Sequence, residues 1–144
     1  MPVEIKWYIQ DHVLIARYYG HVSAEDIHKQ YLEGIRMSES VDTALVHMIA
    51  DIADVTSFPK NVMEFQGSFG EKAKNAGWVV LVGENKMIRF LSSIISNLMK
   101  LRFAYVNTHD EAVEFITARD PFLSLEEALD QTLPYSDIDD DIEN

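Results

Sequence analysis

The sequence contains no cysteine. Disulfides, thiolate metal sites and cysteine nucleophiles are therefore excluded. Positive charge is scarce: 12 Lys/Arg stand against 24 Asp/Glu, for a net charge of −12. Phosphate contacts need clustered Lys and Arg, so no nucleic-acid partner is expected. No apolar run approaches the roughly 18 residues of a membrane span, so no stable membrane insertion is expected. Residues Met1 to Lys6 lack the basic-then-apolar order of a signal peptide, and the expected location is cytoplasmic. Five histidines are present, but none stand at His-x-x-x-His spacing. No Gly-x-Ser-x-Gly elbow, P-loop or dinucleotide fingerprint occurs. The expectation is a non-enzyme with no cofactor, no resident metal and no catalytic residues.

What is present fits a single domain of 144 residues with 47% apolar residues, enough for a core. The negative charge is unevenly placed. Residues 1–109 carry 11 Lys/Arg against 12 Asp/Glu, whereas residues 110–144 carry one Arg against 12 acids. The end, Ser136 to Asn144, reads as a solvated acidic tail. It lacks the glycine and the twelfth-position Glu of an EF-hand calcium loop.

The chain is organised around residues 44–61. An apolar run there breaks into a stretch with two acids, Asp51 and Asp54, and is closed by Pro59. The run reads as a strand, Leu45 to Ile52, buried on both faces in the middle of a sheet. Asp51 to Asn61 is then a loop at that strand's C-terminal end, where α/β sheets tend to meet ligands and partners. Before it, Val3, Ile5 and Trp7 alternate with Glu4 and Lys6, and Val13 to Tyr19 follows a turn at Gln10–His12. These two segments form an antiparallel hairpin ended by Gly20. Ser23 with Asp26 is a capping box for a helix carrying Ile27, Tyr31, Leu32 and Ile35.

After Pro59, residues 61–75 show a second amphipathic pattern, with Gly77 placed to end it. Trp78 to Val82 is a buried strand. Asn85 caps a helix from Lys86 to about Lys100, and Arg102 to Val106 is the last strand. Thr108 and Glu111 form a capping box for a helix to about Arg119. Beyond Pro121, Ser124 to Asp130 is a final helical segment. The expected fold class is α/β, a single domain with a mixed, mostly parallel five-stranded sheet. The order is β-β-α-β-α-β-α-β-α, with helices packed on the sheet. Residues 3–120 form the domain, and 121–144 form a helical segment plus the acidic tail.

This order resembles the STAS fold, named for sulphate transporters and anti-sigma-factor antagonists. More closely, the chain is similar to the SpoIIAA-like branch of small bacterial proteins, as a divergent member. The resemblance rests on Val13 to Gly20 followed by Val22-Ser-Ala-Glu-Asp, on Met48-Ile-Ala-Asp-Ile-Ala-Asp-Val, on Trp78-Val-Val-Leu-Val-Gly, and on Arg102 to Val106 with Thr108 to Ile116. It implies a regulatory protein–protein interaction module. Regulatory members carry an Asp-Ser-Ser-Gly type loop after the central strand, with a serine phosphorylated by a partner kinase. Laying Asp51 on the strand-end aspartate puts Pro59 and Lys60 where Asp-Ser should be, so the serine has no matching position.

Two candidate sites follow. The first is a partner-binding loop of Asp51, Asp54, Thr56, Ser57, Lys60 and Asn61. Its two acids suit magnesium binding or a shared proton, but bonding to nearby amides is the preferred reading, because no third ligand is identifiable. The second is the helix beginning at Lys86. Its apolar face is wider than a core-facing stripe needs. Met87, Phe90 and Ile94, with Arg89 and Lys100 at the rim, are expected to meet a protein partner or a second copy in a homodimer. An ordinary core helix is the competing reading, and an apolar small molecule or lipid is the alternative ligand.

Overall fold

The computed structural model describes residues 3–59, 72–98, 100–125 and 127–128. Strand β1 (Val3–Ile9) turns at Asp11, whose φ is 67°, and pairs antiparallel with β2 (Val13–His21). Helix α1 (Ala24–Glu39) leads to β3 (Val46–Ser57). Strand β4 (Ala76–Val82), helix α2 (Lys86–Leu98), strand β5 (Phe103–Val106) and helix α3 (His109–Arg119) complete the order. The sheet runs β1-β2-β3-β4-β5, and every pair after the first is parallel. The α/β class and the mixed five-stranded sheet are as the sequence indicated. The expected helix at 61–75 falls mostly outside the described residues, as do Lys60, Asn61 and the acidic tail.

The caps follow the local chemistry. Ser23 Oγ accepts from Asp26 N at 3.1 Å, and Asp26 Oδ2 accepts from Ser23 N at 2.9 Å. Asn85 Oδ1 takes the amides of Met87 and Ile88 at 3.0 and 3.1 Å, satisfying donors that the first turn leaves open. Thr108 Oγ1 accepts from Glu111 N, but Glu111 reaches back to Asn107 N, one residue before the cap. The expected reciprocal box at Thr108 is therefore only half formed.

Strand alternation splits the core across the sheet. One face packs Ile15, Ile49 and Val80 under α3, together with Leu123 and Ala128. The other packs Ala16, Ala50 and Leu81 under α1 and α2. Helix α1 departs from the expected stripe. Its buried residues are Ile27, Gln30, Gly34 and Ser38, while Leu32 is exposed. Gln30 is tolerated inside because the buried Tyr18 hydroxyl donates to its side-chain oxygen. A Cβ at 34 would lie 3.0 Å from Met48 Cε, the far end of a flexible side chain, so Gly34 packs closely against Met48.

Gly77 does not terminate a helix. It lies within β4, and its missing side chain makes room for the ring of His47 on the neighbouring strand. His47 is fully buried and bridges two elements. Trp78 N donates to its Nδ1 at 2.9 Å, and its Nε2 lies 2.8 Å from Asp120 Oδ2. The first bond fixes the tautomer: Nδ1 accepts, so Nε2 carries the proton and donates to Asp120.

Candidate functional site

Strand β3 does not open into a loop at Asp51. It continues to Ser57 by pairing with the end of β2, where Tyr19 faces Asp54 and Gly20 faces Val55. The register shifts on both sides of that pair, and at the second shift Gly20 takes a φ of 65°, which glycine adopts without steric cost. The expected loop is thus corrected to a strand extension. It persists because β2 also runs on, to His21, and keeps its backbone groups paired.

The two acids on this extension have different partners. Asp51 is buried. Its Oδ1 accepts from Ala53 N at 3.0 Å, and its Oδ2 lies 2.9 Å from His109 Nε2 in the first turn of α3. The bond ties the start of α3 to the middle of the sheet. The Tyr8 ring meets His109 edge-on, with centroids 6.2 Å apart. Burial, assisted by the charge of Asp110, pushes the Tyr8 hydroxyl above its usual range. Asp54 is more exposed and pairs with Arg17 at 2.6 Å. Among the described residues no three His, Asp or Glu side chains gather as a metal would require. The bonding of Asp51 to a nearby amide is the arrangement the sequence favoured.

Thr56 is exposed at the end of β3. Ser57 is half-buried, with its Oγ 2.5 Å from His21 Nδ1, and its carbonyl accepts from Val22 N at 3.0 Å. Lys60 and Asn61 lie outside the described residues. The sequence did not bring His109, Arg17 or Tyr8 to this site. Nothing in their local pattern points there, because three separate strands and a helix terminus converge on it.

Helix α2 presents the second candidate surface. Ile88 and Ile95 are buried against the sheet, with Ser92 and Ser96 beside them. Met87 and Phe90 are 63% and 60% exposed, and Ile94 is half-buried. Arg89 is turned inward. It donates to the carbonyls of Gly83 and Val106 at 2.5 and 3.2 Å, and to Asn107 Oδ1 at 2.8 Å. Its guanidinium also stacks 5.3 Å from the Tyr105 ring centroid. It clamps α2 to the ends of β4 and β5. Lys100 is exposed just beyond α2, with a φ of 56°.

Between α1, α2 and the sheet lies a cavity of about 130 Å³. Gly34, Ala50, Met48, Ser92 and Ser96 are among its walls, and Gln30 with Tyr18 supplies polarity. The small side chains at 34, 92 and 96 explain the space, since larger ones there would fill it.

No protein-family model matches the sequence, and no curated protein matches it. Several solved structures are similar in fold, among them the following two. One is an uncharacterized protein with a SpoIIAA-like fold from Shewanella loihica PV-4, 12% identical over 79% of this chain and 91% of that one, with a TM-score of 0.55. The other is the anti-sigma factor antagonist SpoIIAA in its unphosphorylated form, 13% identical over 82% of this chain and 98% of that one, with a TM-score of 0.57. At these identities the likeness is one of fold, and this chain has the SpoIIAA-like fold.

Proposed function

We propose that the chain is a non-enzymatic regulatory module that works by protein–protein contact. The observation that carries this reading is the pair Met87 and Phe90, both largely exposed one turn apart on α2. Burying the exposed part of each side chain in an interface gains on the order of 1–2 kcal/mol. Support also comes from the likeness in fold to SpoIIAA, an anti-sigma factor antagonist. The first occupant we assign to the surface is a second copy of this chain, with Ile94 extending the apolar strip. Lys100 stands at its rim, while Arg89 holds the helix in place.

Sedimentation velocity tests this. A dimer is expected at micromolar concentration, and Phe90→Glu is expected to convert it to monomer with the fold retained. A single monomer species of the unaltered chain across that range would remove the dimer.

The regulation proposed here does not use a phosphorylated serine after β3. Thr56 and Ser57 sit on a paired strand rather than in the first turn of a helix, where amides and dipole favour phosphate. Protein expressed in its own cell is expected to show no phosphate-sized mass increment on residues 56–57. A stoichiometric increment localised there by peptide mass spectrometry would contradict the reading.

The cavity favours a second reading, a binder of small apolar molecules. Its 130 Å³ volume is near that of engineered cavities that take a single aromatic ring. Native mass spectrometry separates the two readings. A copurified small molecule appears as added mass on the monomer, whereas self-association appears as a doubled mass.

A further inference from the structure

We propose that Trp78, Arg102 and Arg119 form a docking site for an acidic segment of a partner protein. The site lies at the end of the sheet opposite Asp51 and His109. Trp78 stands near the start of β4, Arg102 just before β5, and Arg119 at the end of α3. Both guanidiniums sit 5.6 Å from the Trp78 ring centroid, and Arg119 also stacks 3.5 Å from that of Phe115. Both arginines are exposed, while the Trp78 ring between them is half-buried against Phe115.

Each arginine spends part of its donor set on one carbonyl. Arg102 donates to Ala76 O at 3.2 Å and Arg119 to Phe115 O at 3.1 Å. A guanidinium has five N–H donors, so both retain capacity for carboxylates. Among the described residues neither has a carboxylate partner, although the chain holds twice as many acids as bases. The adjacent Asp120 is buried and engaged by His47 and by Phe122 N.

Further cations adjoin the pair. Lys100 stands two residues before Arg102, and the Lys72 amine donates to the Lys100 carbonyl. Lys72, Lys74 and Lys100 are all exposed. Phe122, 68% exposed, lies three residues beyond Arg119. Glu39, whose Oε2 accepts from Lys74 N at 3.2 Å, is an acid beside Lys74; in a chain of net charge −12 these cations draw negative groups here while the acids elsewhere repel them. A rigid aromatic flanked by two arginines is also the composition that dominates binding energy at protein interfaces. Trp78, Arg102 and Arg119 are distinct from Met87 and Phe90, and of the neighbouring cations only Lys100 borders the α2 surface, so the proposal does not depend on dimerisation through α2.

The ring supplies the readout. In a Trp7→Phe chain, Trp78 is the sole tryptophan, and its emission reports an occupant. The probe is a peptide of roughly ten Asp and Glu residues, with an Asn/Gln peptide of equal length as control. A saturable emission change is expected with the acidic peptide alone, weakened about tenfold between roughly 20 mM and 0.3 M salt. Arg102→Gln with Arg119→Gln is expected to abolish it, whereas Lys86→Gln at the start of α2 leaves it intact. Circular dichroism confirms that the double variant folds, and the single arginine variants serve if it does not. No saturable change, or a change unaffected by loss of the arginines, overturns the proposal. Binding seen only after deletion of residues 137–144 also overturns it, by assigning the surface to the chain's own acids.

Discussion

Replacing Gly77 by alanine is expected to destabilise the protein by about 3 kcal/mol, more than any surface change here. A Cβ at this position would fall 2.3 Å from His47 Nδ1 and 2.7 Å from Cε1. The ring cannot give way cheaply. Its side chain is fully buried, and so is that of Asp120, its bonding partner. Moving it stretches the bond to Asp120 and frees the amide of Trp78, leaving buried polar groups unpaired. Overpacking costs about 1–3 kcal/mol by itself, and loss of a buried pair can add several more. Urea denaturation measures the result. The account also predicts strong coupling: with His47→Ala already present, the added cost of Gly77→Ala should fall below about 1 kcal/mol. An unchanged denaturation midpoint in the single variant would show that the strand shifts to accommodate the methyl group.

Acidification is the second large effect. Burial holds the His47 imidazole below its usual pKa, and this outweighs the opposing pull of Asp120; Arg102 and His12 push in the same direction as burial. The geometry agrees, because a proton added at Nδ1 would face the N–H of Trp78. The folded state therefore keeps His47 neutral at pH values where the unfolded chain already binds a proton, below about 6.5. The unfolded state then holds more protons, so stability rises with pH across that window and is lost as pH falls through it. Above the unfolded value the contribution is fully present. One proton gives a slope of up to about 1.4 kcal/mol per pH unit. Urea titrations at pH 7.5, 6 and 5 should show stability falling with pH, and a His47→Gln chain should lose about one proton's worth of that slope. Parallel profiles for the two chains would show that His47 is not the group responsible.

The elements of the sheet and its helices differ in how far the sequence reveals them. The hairpin, the central strand and the helix starts were legible because each rests on local chemistry. Alternation over Val3 to Trp7 gives a strand face, and Ser23, Asn85 and Thr108 supply acceptors for open amides. The apolar excess of α2 was legible too, since spacing alone puts Met87 and Phe90 outside the face that Ile88 and Ile95 bury. The extent of β3 was not. Asp51, Asp54 and Thr56 read as a loop, and they form strand only because β2 runs alongside to His21. Gly77 was misread for a similar reason. A glycine after an amphipathic pattern signals a helix end, whereas this one answers to a ring on the next strand.

By itself, the sequence determined most of the element types, the cap acceptors, the mixed α/β sheet and the absence of thiol chemistry. The element types and caps depend on a residue's neighbours within about one helical turn or a few strand residues, whereas the mixed pairing follows from one short turn and the longer crossovers between strands. Only the tertiary structure decided which polar residues meet. Asp51 finds His109 across 58 positions, His47 finds Asp120 across 73, and Arg102 and Arg119 close on Trp78 from two different elements. Periodicity assigns a side chain to a face but carries no information about its partner. The partner is set by strand order and crossovers, which bring distant positions within the few ångströms over which hydrogen bonds and cation–π contacts act.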